Sequence, residues 1–142
     1  MAVYSASIRT SMATTTAPSA EVIGPPAARC RLMEVGMWLN AATQSPIGIG
    51  RPQAIGVTPT TPITVLAEDP NDAAGASKLA VAWATPPTVP TNYFRRVNIA
   101  AAIGAGVILT FPRGLVIPAA GTLCWWNIAA VSVYDLHAVV DE

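Results

Sequence analysis

Charge is what this chain has least of. Asp, Glu, Lys and Arg make up 11% of its 142 residues, with eight of each sign and a formal net charge of zero. An ordinary soluble domain carries about 25% charged residues. A surface short of charge and without net charge favours association over independent solubility. The expectation is an oligomer or a component of an assembly. Arg95 and Arg96 are the sole adjacent cations. Nucleic acid is therefore not expected as a partner, since neutralising phosphates takes clustered Lys and Arg.

Reactive side chains are equally scarce. The two cysteines, Cys30 and Cys124, have neither CxxC nor metal-ligand spacing, and their apolar surroundings read as buried free thiols. His137 is the only histidine, so a zinc set would need a chance convergence. It shares a strand face with Asp135, which is how a catalytic relay could begin, but no GxSxG or comparable nucleophile motif exists. The reading is a strand-face or interface histidine, with no catalytic residue and no enzyme. Gly48-Ile49-Gly50 and Gly104-Ala105-Gly106 each lack the third glycine and the following helix of a dinucleotide loop. No cofactor is expected.

Long apolar runs are missing too. The nearest, Val97 to Phe111, is broken by Asn98, Gly104 and Gly106, short of the roughly 18 continuous residues of a membrane helix. No membrane partner is expected. Met1 to Thr16 carries neither a basic n-region nor an apolar h-region, so secretion through a leader is not expected. No fixed-period repeat points to a solenoid or propeller.

What is present is a succession of short strands. Tyr4, Ala6 and Ile8 alternate with Ser5, Ser7 and Arg9, one face buried and one wet. A strong strand runs from Arg29 to Leu39, with Met33, Val35, Met37 and Leu39 opposite Leu32, Glu34 and Trp38. From Pro46 to Pro62 prolines recur too often for a central strand, so edge strands and loops are read there. Val3, Arg29, Ile47, Ile63, Leu79, Tyr93, Val107, Thr122 and Val131 mark the strand starts, and nothing shows a helical period. About eight or nine strands with turn signals between them suit an all-β, jelly-roll-like β-sandwich in a single domain, residues 1–142. Residues 11–27, rich in Thr, Ala and Pro, read as a flexible extended arm or long loop.

Two constellations stand out. Glu68, Asp69 and Asp72 gather hard oxygen ligands around Pro70-Asn71, a weak candidate for calcium, although the spacing of a calcium loop is not met and a solvated turn has the same composition. Trp125 and Trp126 are adjacent in a strand and so point to opposite faces. One of them is expected at a contact between subunits, where buried aromatics concentrate. Tyr93, Phe94, Arg95 and Arg96 complete the expected interface.

Several segments resemble a family of tailed-bacteriophage virion proteins of the head-decoration kind. They are Leu32-Met33-Glu34-Val35-Gly36, Gly48-Ile49-Gly50-Arg51-Pro52, Leu66-Ala67-Glu68-Asp69-Pro70, Pro87-Thr88-Val89-Pro90, Phe94-Arg95-Arg96, Gly106-Val107-Ile108-Leu109-Thr110-Phe111-Pro112 and Val139-Val140-Asp141-Glu142. The first 28 residues match least. The resemblance implies a jelly-roll-like sandwich, a homotrimer, made in the host cytoplasm and seated on the capsid surface against the major capsid protein. A tail- or fibre-associated module that binds a receptor or carbohydrate is the alternative, with Trp83, Asn92 and Tyr93 as its aromatic and amide cluster.

Overall fold

The computed structural model describes residues 2–11, 15–129 and 133–142. These form thirteen strands and no helix. In chain order they are β1 (Val3–Arg9), β2 (Pro18–Ile23), β3 (Cys30–Leu39), β4 (Ser45–Gly50), β5 (Val57–Pro59), β6 (Ile63–Thr64), β7 (Leu66–Ala67), β8 (Lys78–Ala80), β9 (Trp83–Thr85), β10 (Tyr93–Ile99), β11 (Gly106–Ile117), β12 (Thr122–Asn127) and β13 (Tyr134–Asp141).

One sheet has the order β11-β3-β13-β1-β7, a second β10-β4-β12-β2-β8-β6, and β5 pairs with β9 in a small ribbon. Leu32, Met37, Leu136 and Val140 of the first sheet share one buried cluster with Val22, Ile49, Leu123 and Trp125 of the second. The two sheets therefore pack face to face as a β-sandwich. The all-β class read from the sequence is the class observed.

The chain switches sheet at every step from β1 to β4 and again from β10 to β13. The first strand consequently lies against the last, in register from Val3↔Asp141 to Arg9↔Asp135. Ala2 and Glu142 close that end with reciprocal backbone hydrogen bonds of 3.1 Å. Between β4 and β10 the chain makes a long excursion. It adds β7 to one sheet, adds β6 and β8 to the other, and leaves the β5–β9 ribbon beside the second sheet.

Three sequence readings need correction. Within the expected arm of residues 11–27, Pro18–Ile23 is an interior strand, paired with β12 on one side and β8 on the other. A polar-looking composition misled here because Ser19 and Glu21 are buried with partners supplied by distant parts of the chain. Ser19 Oγ donates to the Trp125 carbonyl at 3.0 Å and pairs with the Tyr134 hydroxyl. Residues 12–14 of that arm, and the proposed strand start at Val131, lie outside the described residues.

Ser45–Gly50, read as an edge, is an interior strand between β10 and β12. Its one proline, Pro46, is the second residue of the strand, where a missing N–H costs least. Pro52, Pro59 and Pro62 lie beyond Gly50, in the excursion.

In β3 the expected alternation changes phase. Leu32, Val35, Met37 and Leu39 are buried, and Met33, Glu34 and Trp38 are not. The pairing with β13 shifts between Val139 and Val140, so Met33 is an extra residue opposite them. A bulge of this kind exchanges the two faces of the strand. Strand β11 has a larger irregularity between Thr110 and Leu115. There Gly114 takes φ +64°, a left-handed conformation that costs a non-glycine residue about 1–2 kcal/mol.

Candidate interaction surface

Strands β10 and β11 each terminate their sheet. They lie on the same flank of the sandwich, because the Arg95 guanidinium of β10 sits 5.6 Å from the ring centroid of Phe111 in β11. A terminal strand has backbone N–H and C=O groups along its free side that no neighbour pairs. Two such strands here run side by side.

The side chains on this flank are arginines laid over aromatic rings. Arg51, just after β4, stacks 4.9 Å from the Phe94 centroid and donates from Nη2 to the Val116 carbonyl of β11 at 2.8 Å. Arg96 lies 5.9 Å from the Tyr93 ring. Arg95 and Arg113 line one depression of about 360 Å³ with Phe111 and Leu115. Each stacking contact is worth roughly 0.5–1 kcal/mol at an exposed site. Their joint effect is to hold guanidinium groups flat against the flank.

Local geometry produces this display. The β10–β4 pairing shifts between Tyr93 and Arg95, so Phe94 is an extra residue and is turned outward toward Arg51. The Tyr93 ring lies over Gly48, where a Cβ would meet it at 2.4 Å. Glycine at that position is what lets the ring close on the sheet.

None of Arg51, Arg95, Arg96 and Arg113 makes an ion pair with a carboxylate among the described residues. The pairs that form lie on the outer face of the first sheet. There Arg9 binds Asp135 through Nε and Nη2 at 2.7 and 2.8 Å, and the arginine's hydrogen bond holds the Asp135 carboxyl below its ordinary range. His137 Nε2 lies 3.1 Å from Glu34 Oε1, and its ring stacks on Trp38 with centroids 5.2 Å apart. Ser7 is the cross-strand neighbour of His137, but no hydrogen bond joins them among the described contacts.

The expected interface residues divide. Tyr93, Phe94, Arg95 and Arg96 are brought together on terminal strand β10. Trp125 and Trp126 are not surface residues, at 0% and 5% exposed within a single chain. Trp125 lies in the core between the sheets. Trp126 pairs with Gly48, so it lies on the face of the second sheet that Tyr93 covers. The long excursion lies over this face. Pro90 packs on Gly50, and the Trp83 indole donates to Glu21 Oε2 at 2.6 Å. The second layer expected from another subunit comes from the chain itself.

The candidate cation ligands Glu68, Asp69 and Asp72 fall in the loop after β7. Asp69 Oδ1 accepts from the Asn71 backbone N–H and from Asn71 Nδ2, both at 2.9 Å, so its carboxylate closes the turn. Among the described residues no three His, Cys, Asp or Glu side chains converge as a metal set. Trp83, placed with Asn92 and Tyr93 as a carbohydrate cluster, has its indole N–H engaged by Glu21 instead. Both thiols are free and buried. Burial pushes Cys124 up to about 12, with the nearby Glu21 carboxylate adding to the shift.

Arg51, Arg95, Arg96 and Arg113 come from three separate parts of the chain and meet on one flank. Adjacency in sequence could reveal only Arg95 and Arg96. No helix among the described residues is long and apolar enough to cross a membrane. Neither a protein-family model nor a curated protein sequence matches the chain.

Proposed function

We propose that this chain is a virion structural protein of the head-decoration kind, an oligomer that binds the outside of a phage head shell through the major capsid protein. The observation that carries a contact role is the β10–β11 flank. Two strands there each end their sheet, and they present arginines without carboxylate partners together with the exposed ring of Phe94. Such a surface combines aromatic side chains with arginine, both enriched at protein interfaces.

Further support comes from the strand order. We read β1-β13-β3-β11 facing β2-β12-β4-β10 as a jelly roll, an architecture common among capsid proteins and lectins. The assignment to a phage head rests on the sequence resemblance, several of whose segments fall on this flank. Gly48–Pro52, Phe94–Arg96 and Gly106–Pro112 all contribute to it. Repetition on a symmetric shell would multiply a modest contact into stable occupancy.

The decisive experiment is to purify intact particles and measure this chain's copy number relative to the shell protein. A ratio near one copy per shell subunit, or a fixed simple fraction of it, supports decoration. Absence from particles overturns it.

A second reading is a receptor- or carbohydrate-binding module. It is favoured by the outer face of the first sheet, where Trp38, His137, Arg9 and Asp135 line one shallow depression. Loss of glycan-array binding in Trp38→Ala would select that reading.

A further inference from the structure

The two flanks of the sandwich carry opposite charge. The first sheet runs from β11 to β7 and the second from β10 to β6, so β10 and β11 lie on one side and β6 and β7 on the other. Arg51, Arg95, Arg96 and Arg113 belong to the first side. Glu68, Asp69 and Asp72 follow β7 on the second.

Several of the other charges have partners within the chain. Arg9 is paired with Asp135, and His137 with Glu34. Glu21 is buried. Arg29, Arg31 and Arg113 line one depression with Asp141 and Glu142, and Glu142 also accepts the Ala76 and Ser77 backbone N–H groups. Lys78 on β8 lies next to β6, and the loop after β7 carries three carboxylates against the arginines of the opposite flank. A formally neutral chain is thus polar across its width.

The two terminal strands of the first sheet each carry an uncovered apolar residue on that sheet's outer face. Ile108 of β11 is 55% exposed, and Leu66 of β7 is 72% exposed. Strand β7 is a terminal strand like β10 and β11, with a free backbone side. Opposite charge and a terminal strand are therefore found on both flanks.

We infer that the β10–β11 flank of one copy binds the β7 flank and the Glu68–Asp72 loop of a second copy, head to tail. The inference rests on reading the β10–β11 flank as a contact surface and names its partner as this chain itself. A two-fold pairing of basic flank with basic flank would set the arginines against one another, and like charges facing across an interface are strongly unfavourable. Basic against acidic is a heterologous contact, which repeats in one direction and closes into a ring where the rotation allows. Because Arg51, Arg95 and Arg96 are already stacked on Phe94, Phe111 and Tyr93, little of their side-chain freedom remains to be lost on binding.

The test uses two full-length variants with reversed flanks. Arg95→Glu with Arg96→Glu makes the basic flank acidic, and Asp69→Lys with Asp72→Lys makes the acidic flank basic. All four side chains are exposed, and circular dichroism with thermal unfolding establishes that each variant is folded. Mass is read by sedimentation at low and high salt.

The wild type is expected to self-associate more strongly at low salt, and each variant alone to lose association by about tenfold or more. Mixing the two variants is expected to restore it, because each reversed flank then meets its opposite. A wild type that stays monomeric, or variants that keep the wild-type mass, would overturn the pairing. So would a mixture that fails to assemble, or an Arg95→Glu/Arg96→Glu effect confined to co-purifying nucleic acid. If those arginine changes abolish particle occupancy but leave the mass unchanged, the flank is a contact surface whose partner is the shell, and the head-to-tail pairing is wrong.

Discussion

The Trp83 indole N–H donates to Glu21 Oε2 at 2.6 Å and joins the long excursion to an interior strand of the second sheet. The same carboxylate accepts the Gly56 backbone N–H at 3.3 Å, so one buried side chain holds both ends of the β5–β9 ribbon. Cys124 pairs with Glu21 across β2 and β12. The strongly polar group on this face is thus surrounded by side chains that supply hydrogen bonds but no positive charge.

That environment predicts a pH dependence. Burial raises Glu21 above its ordinary value of 4.5, outweighing the hydrogen bonds from Gly56 and Trp83 that favour the carboxylate. Between 4.5 and the raised value the folded state holds a proton that the unfolded state has released, so stability falls as pH rises through that window. Asp135 acts with the opposite sign and lower down, since its contribution disappears as pH falls through a value below 3.8. Urea unfolding across pH 4–8 should show the Glu21 slope, and Glu21→Gln should flatten it. An unchanged slope in that variant would refute the assignment.

Trp125→Ala should destabilise the fold itself. Removing a fully buried tryptophan costs about 3–5 kcal/mol, because the cavity collapses incompletely. The loss should appear as a lower unfolding midpoint at any protein concentration. A concentration-dependent midpoint that vanishes in the variant would instead put Trp125 in a subunit contact.

Gly48→Ala should clash with Tyr93, whose ring atoms would lie 2.4 Å from the new Cβ. The expected cost is about 1–3 kcal/mol. Adding Tyr93→Ala should recover part of it, because the obstructing ring is gone. A double variant whose losses merely add would show that the two residues do not meet.

Cys124 should be inert in the folded protein. With its pKa pushed up to about 12, the thiolate fraction at pH 8 is on the order of one in 10⁴. A thiol reagent should label Cys124 at the rate of unfolding, and labelling should speed up on adding denaturant. Rapid labelling without denaturant would contradict the burial.

Some of this was legible in the residues. Alternation in β1 and the apolar run Leu123 to Trp126 of β12 need no tertiary information, because strand patterning is local. The bulge at Met33 was not legible. It depends on pairing with Val139 and Val140 across the sheet, and Leu32 and Met33 are apolar alike. Strand β2 was hidden for a related reason. Ser19 and Glu21 look solvated until Tyr134, Gly56 and Trp83 arrive to pair with them.

The sequence by itself determined the class. Short β-branched segments separated by proline and glycine, with few charges and no helical period, leave an all-β sandwich as the way to bury them. Tertiary structure alone decided what faces what. It buried Trp126 within the single chain, and it gathered four arginines from distant segments on the flank away from Glu68, Asp69 and Asp72. Sidedness of that kind depends on strand order and register, which are set by contacts between residues far apart in the chain.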